Sequence, residues 1–194
     1  METLRILTLI GSTKPGASNH KLVNWLQRQA FIDPAIKWST FDPTALPYFN
    51  PDLDIQENAA KGRHLPDSVQ RLREQLKSAD GLLICTPEYV FSLPGVLKNA
   101  LEWLVSTTLL ENMPTALITA AASGDKAQTQ LGLVLRTLGA KFNSETNLLI
   151  KGIKGKIDLG GALKDRDTIE KLIQLMAAFT KEMHSSKNPS TARA

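Results

Sequence analysis

Ile6-Leu7-Thr8-Leu9-Ile10-Gly11-Ser12-Thr13-Lys14-Pro15-Gly16-Ala17-Ser18-Asn19 decides how the rest of the chain is read. Residues 6–10 form a short apolar run, which reads as a strand buried on both faces. The run stops at a loop made of glycine, hydroxyl residues and one lysine. The loop in turn opens a helix, expected over residues 20–30, with Leu22, Val23, Leu26 and Ala30 on one face. Ser18 or Asn19 is placed to cap that helix.

The same strand-then-helix unit recurs outward from this stretch. Strands are expected at residues 36–41, 82–86, 115–121 and 145–150. Pro66-Asp67-Ser68 opens a helix whose face is Val69, Leu72 and Leu76. Pro94, at the first-turn position that proline tolerates, starts another with Val96, Leu97, Ala100, Leu101 and Leu104. Further helices are expected at 126–138, ended by Gly139, and at 165–183. Residues 43–65 show little periodicity and contain Pro43, Pro47 and Pro51. A segment this long without regular structure is expected to be functional or mobile. Alternating strands and helices imply an α/β domain, a doubly wound five-stranded parallel sheet with helices on both faces. The matching strand order is 2-1-3-4-5, and its ligand position lies over the loops after strands 1 and 3, where the winding reverses.

Composition fits one domain. The chain has 194 residues, 42% of them hydrophobic, and a formal charge of +4 that is scattered among acidic residues. Residues 1–184 are expected to form that single domain, and the polar stretch 185–194 to be a disordered tail. No basic stripe with stacking aromatics indicates nucleic acid. No apolar run approaches the length of a membrane span. The start of the chain carries no basic n-region or cleavage signature, so a cytoplasmic protein is expected. Cys85 is the single cysteine and ends an apolar run, which reads as a small buried hydrophobe. His20, His64 and His184 show no metal-ligand spacing, and no metal is expected.

Two loops remain as the candidate site. In the first, unpaired N–H groups at a helix start suit a phosphate, with Gly11, Ser12, Thr13, Lys14, Ser18 and Asn19 as candidate contacts. The pattern is neither the Walker sequence nor Gly-x-Gly-x-x-Gly. Asp42 is the nearest acidic residue at the end of the second strand, and it reads as a turn residue before Pro43. The second loop is Thr86-Pro87-Glu88-Tyr89-Val90-Phe91-Ser92-Leu93-Pro94-Gly95. Its two prolines hold its N–H groups in place. Donors at Glu88 and Tyr89 suit the pyrimidine edge of a flavin, and Tyr89 and Phe91 offer flat apolar surface. A rigid turn with core aromatics is the alternative reading.

These residues carry a resemblance. The chain resembles the NAD(P)H-dependent FMN reductases, a flavodoxin-like family that includes chromate, quinone and azo reductases. Gly11, Ser12 and Asn19 match its Gly-Ser-x-Arg-x-x-Ser-x-Asn loop, with Lys14 for Arg and Ala17 for Ser, Ser18 standing one residue away. Residues 86–103 follow its Thr-Pro-Glu-Tyr-Asn-x-Ser-x-Pro-Gly-x-Leu-Lys-Asn-Ala-x-Asp-Trp run, with Val90 for Asn and Glu102 for Asp. The resemblance extends through Leu46-Pro47-Tyr48-Phe49-Asn50-Pro51-Asp52-Leu53 and Val69-Gln70-Arg71-Leu72-Arg73 and covers most of residues 4–150.

It implies an FMN-dependent oxidoreductase that takes electrons from NADPH or NADH and passes them to quinone-like or other small acceptors with ping-pong kinetics. The flavin carries the chemistry, and no side chain is expected to be catalytic. The FMN phosphate is expected on the first loop and the isoalloxazine beside Pro87, Glu88, Tyr89 and Val90. Ser123 and Gly124, after the fourth strand, are expected beside the ring, without the paired glycines of the family. Lys14 lacks arginine's bidentate fork, and Val90 cannot hydrogen-bond the flavin. A homodimer or homotetramer is implied, with the apolar helix at residues 94–106 as a candidate face, and Glu88 pairing with a cation or facing a partner. Two other readings stay open: a flavin-binding or sensing module with little turnover, and a doubly wound domain holding another phosphate ligand.

Overall fold

In the computed structural model, residues 3–29, 31–54 and 64–188 are described. Five strands run β1 Leu4–Ile10, β2 Ile36–Phe41, β3 Gly81–Thr86, β4 Thr115–Ala121 and β5 Asn147–Lys151. All pair in parallel, in the order β2-β1-β3-β4-β5. This is the expected doubly wound order. β3 and β4 are buried along their whole length, as the unbroken apolar runs require of strands covered on both faces.

The helices are α1 Ser18–Leu26, α2 Pro51–Asp54, α3 Asp67–Ser78, α4 Gly95–Glu102, α5 Asp125–Thr137, α6 Ile153–Lys156 and α7 Arg166–Lys187. They divide the core in two. On one face, Leu22, Val23 and Leu26 of α1 and Leu172, Leu175, Met176, Phe179 and Met183 of α7 cover Leu4, Ile6, Leu83, Cys85 and Ile118. On the other, Val69, Leu72 and Leu76 of α3, Leu97 and Leu101 of α4, and Leu131 and Leu135 of α5 cover Leu7, Leu9, Leu82, Ile84 and Leu117. Right-handed crossovers produce this division. The step from β1 to β2 runs opposite to the steps through β3, β4 and β5, so its helix lands on the opposite face.

Several boundaries differ from expectation. α1 starts at Ser18 with Ala17 at its N-cap, so neither Ser18 nor Asn19 caps it, and no side chain does. It ends at Leu26; Ala30 lies outside the described residues. Pro94 is the residue before α4, not its first turn, and α4 ends at Glu102 rather than Ser106. α7 extends to Lys187, so residues 185–187 are helical and not tail. The remaining tail, 189–194, lies outside the described residues.

The segment after β2 is more ordered than its composition suggests. Pro43–Ala45 forms a 3-10 turn whose N-cap Asp42 accepts a hydrogen bond from Thr44 N. Beyond this turn the Asn99 side chain clamps the chain at Pro47 and Phe49. Its Oδ1 accepts from Phe49 N at 2.7 Å and its Nδ2 donates to Pro47 O at 2.9 Å. Trp103, fully buried, donates from Nε1 to the same Pro47 oxygen at 2.9 Å and meets the Phe49 ring edge-on. Arg73 closes the far end by donating to Asp54 and to the Trp103 carbonyl. Residues 55–63, the middle of the expected irregular stretch, lie outside the described residues.

Asn99→Ala removes both bonds of this clamp and leaves the Phe49 N–H without its partner. The expected loss is about 1–3 kcal/mol of stability in urea unfolding, with amide exchange rising over residues 46–53. Unchanged exchange there would show that Trp103 alone holds the segment.

Candidate functional site

The first loop begins where β1 meets β3. Gly11 donates its N–H to Cys85 O at 2.9 Å. A Cβ on Gly11 would sit 2.3 Å from the Thr86 hydroxyl and 3.2 Å from Leu97, so only glycine lets the two strand ends touch. Ser12 is next, 4% exposed, and its Oγ has no hydrogen-bond partner among the described residues. A buried, unpaired hydroxyl is costly unless a ligand completes it. The loop then turns through Gly16 at φ 70°, with Ala17 N donating to Lys14 O at 3.1 Å. Thr13 and Lys14 are exposed.

α1 starts without a side-chain cap. Its first internal bond is Lys21 N to Ala17 O at 3.0 Å. The N–H groups of Ser18, Asn19 and His20 are therefore free of partners among the described residues, at the positive end of the helix dipole. The Asn19 side chain is not part of this opening. It is buried and donates to Ala120 O at 3.2 Å and towards Cys85 Sγ at 3.6 Å. Asn19 thus bolts α1 to β3 and β4, and only its backbone N–H faces the loop. Cys85 below it is fully buried, and burial pushes its thiol up to about 12. It is the inert small hydrophobe expected.

The second loop is a short hairpin. Tyr89 and Ser92 exchange backbone hydrogen bonds, 3.0 Å each way. Between them Val90 and Phe91 take positive φ, 50° and 56°. A two-residue turn with both central residues left-handed matches right-handed strand twist, and Asn-Gly normally supplies it. A β-branched residue in this region is strained. Val90 is 95% and Phe91 74% exposed, so Phe91 is not a core aromatic, and half-exposed Tyr89 is not one either. The Val90 substitution therefore acts on the backbone of the turn, besides removing a hydrogen-bonding side chain.

The expected role of Glu88 is to pair with a cation or face a partner. Among the described residues no cation pairs with it; its carboxylate accepts from the backbone N–H groups of Lys126 and Ala127, at 2.9 and 3.0 Å. It caps α5 from another loop. Ser92 Oγ donates to Gln130 at 2.6 Å, and Gln130 Nε2 donates back to Phe91 O at 3.3 Å. These bonds brace the second loop against the third, where Ser123 donates to Asp125 at 2.9 Å and Gly124 takes φ 97°. Lys151, hydrogen-bonded to Asp125 at 2.8 Å, holds that exposed carboxyl below its usual range, with Ser123 adding to the effect.

The loops after β1, β3 and β4 are thus joined into one rim at the C-terminal edge of the sheet. Sequence reasoning located all three. It missed the roles of Glu88 and Asn19, whose partners lie far away in sequence. It also missed His20, whose Nε2–H donates to Ser12 O at 2.7 Å. Among the described residues, no group of three His, Cys, Asp or Glu could hold a metal, and no helix is long and apolar enough to cross a membrane.

Residues 4–153 match the family model described as NADPH-dependent FMN reductase. The chain is 30% identical over 188 residues to a quinone reductase of Escherichia coli (strain K12), covering 92% of this chain and 94% of that one. It is 31% identical over 182 residues to a 2-hydroxy-1,4-benzoquinone reductase of Burkholderia sp, covering 91% and 94%. Among solved structures, FerB, a flavoenzyme NAD(P)H:(acceptor) oxidoreductase from Paracoccus denitrificans, shares the fold with a TM-score of 0.75. That match has 24% identity and covers 94% of this chain and 98% of FerB.

Replacing Val90 by Asn, which tolerates the left-handed region, should raise stability by about 1 kcal/mol. The check is the urea midpoint of the purified variant. A lower midpoint would mean that the turn is unstrained as it stands.

Proposed function

Because this chain belongs to the NADPH-dependent FMN reductase family, we propose that it passes electrons from NADPH or NADH, through bound FMN, to a quinone or other small acceptor in ping-pong turnover. The observation that carries this reading is the Ser12 hydroxyl, buried and unpaired at the mouth of an uncapped helix. A phosphate there would accept from Ser12 Oγ and from the N–H groups of Ser18, Asn19 and His20, with Thr13 and Lys14 at the exposed rim. FMN, when bound, supplies the hydride acceptance and electron delivery that side chains cannot.

The protein's own contribution is binding, orientation and exclusion. Pro87 stiffens the second loop, and the Glu88 cap fixes its spacing from α5. The Tyr89 ring and the backbone of Tyr89 and Val90 would then border a bound flavin ring, with Ser123 and Gly124 bordering it from the loop after β4. No ionisable side chain of the rim is needed as acid or base, because the bound flavin would supply the redox chemistry. Lys14 balances phosphate charge as a point cation, without the bidentate geometry of arginine.

The assembly we propose is a homodimer through α4 and α5. Between these helices an apolar cleft of about 300 Å³ is lined by Phe49, Leu101, Val105, Leu133 and Val134. Val105 and Leu133 are exposed apolar residues on its border. Trp103, in contrast, lies inside the core. Light scattering is expected to give twice the chain mass, and Leu133→Glu to give the monomer. A monomeric wild-type protein would remove the proposal.

The FMN reading has a direct test. The purified protein should be yellow, or turn yellow with added FMN, and NADPH should bleach it without oxygen. Ser12→Ala should weaken FMN about tenfold while leaving the ligand-free protein at least as stable as before, because its buried Oγ bonds nothing among the described residues. A colourless protein that ignores FMN would sink the reading. A yellow protein that NADPH fails to bleach would point to a binding or sensing module.

A further inference from the structure

The first loop has a second side. Between it and the end of β2 lies a cleft of about 480 Å³, bordered by Ser12, Thr13, Gly16, His20, Asp42 and Thr44. Its volume falls within the range of small-molecule sites, about 300–1,000 Å³. This cleft points away from β3 and β4, so a flavin ring lying between the first and second loops would leave it free. It shares one wall with the proposed phosphate position, because Ser12 borders both.

Three observations give the cleft its chemistry. Ser12, whose buried Oγ is unpaired, is one of the residues of its wall. His20 donates from Nε2 to Ser12 O at 2.7 Å, which fixes the loop peptide after Ser12 and keeps the ring at the border of the cleft. At the opposite end, Asp42 uses one carboxylate oxygen, Oδ1, to hold Thr44 N at 2.9 Å and Thr44 Oγ1 at 2.7 Å. Its Oδ2 has no partner among the described residues. A carboxylate at the end of the second strand of a doubly wound sheet is placed to accept from the ribose hydroxyls of a dinucleotide bound alongside the first loop.

We propose that this cleft is a subsite for the adenosine 5′-phosphate half of a dinucleotide, with the free Asp42 oxygen accepting from the ribose hydroxyls. The inference rests on the first loop being a phosphate site, as the FMN reading requires. The moiety has two possible sources, the second half of FAD or the adenosine half of NAD(P)H. In either case Pro43 and Phe41, which also line the cleft, offer apolar surface to the base.

The full chain, freed of flavin, is titrated with FMN and with FAD by fluorescence quenching. The FMN-loaded chain is titrated with ADP-ribose by calorimetry. Both series are repeated with Asp42→Asn, which keeps Oδ1 and the turn it caps but replaces Oδ2 by a donor. If FAD is the source, FAD binds at least as tightly as FMN, and the variant weakens FAD by about fivefold to tenfold while FMN is unchanged. If NAD(P)H is the source, ADP-ribose binds the FMN-loaded protein and the variant weakens it similarly. FMN binding, together with weak FAD and no bound ADP-ribose, overturns the subsite and leaves the FMN reading intact. So does an equal loss for FMN and FAD in the variant. Binding of neither flavin removes both readings. If the variant does not fold, the wild-type comparison of FAD with FMN and the ADP-ribose titration still decide.

Discussion

Everything at the ligand edge depends on how closely β1 approaches β3 at Gly11. The Gly11 N–H is held by Cys85 O, and its α-carbon lies against the Thr86 hydroxyl, where any side chain would collide. The contact sits at the point where the winding of the sheet reverses, so two loops leave it in different directions with no helix between them. A bulkier residue would have to part β1 from β3 at their ends. That would disturb the Asn19 bonds to Ala120 and Cys85, and with them the start of α1. The geometry of the first loop is therefore set by packing beneath it rather than by the loop's own residues.

An uncapped helix start does not by itself mark a ligand position. α3 and α4 also begin without side-chain caps, after Pro66 and Pro94. α7 shows the ordinary solution, in which Asp165 accepts from Thr168 N at 3.1 Å. Thr168 and Lys156 hold the Asp165 carboxyl down at about 2. α5 shows another solution, borrowing Glu88 from a neighbouring loop. What separates α1 from α3 and α4 is the buried hydroxyl beside it. Exposed N–H groups are satisfied by water at little cost, but a Ser12 Oγ shut off from water is not. Neither feature alone would indicate a phosphate; the two together are what support the proposed phosphate position.

Much of this was legible in the chain because it is local. The apolar–polar alternation of β2 and the apolar run of β4 carried their own boundaries, and the alternation of strands with helical faces carried the sheet order. The two loops came from that order before any family resemblance entered. What could not be read locally depends on distant partners. Nothing near Glu88 indicates α5, whose N–H groups it accepts from a separate loop. Nothing near Asn19 indicates Ala120. The segment after β2 looked irregular because its order comes from Asn99, Trp103 and Arg73, all distant in sequence. Val90 carries no left-handed signal at all; a β-branched residue argues for a strand, and only the exchange of bonds between Tyr89 and Ser92 forces it into the turn.

That turn shows where the fold tolerates strain and why it can. Two adjacent non-glycine residues at positive φ oppose folding, and neither is repaid by burial, since both project into solvent. The conformation persists because its surroundings over-determine it. Pro87 restricts the approach, and the Tyr89–Ser92 pair closes the loop. Glu88 ties one side to α5, and Ser92 and Phe91 tie the other to Gln130. A strained, braced and outward-pointing apolar tip is a poor arrangement for stability alone. It suits a surface that must keep its shape beside a flat ligand while remaining open to a second one. The brace runs through α5, so the helix that borders the proposed subunit contact also holds the second loop. A partner packed on α4 and α5 would therefore stiffen the site without touching it.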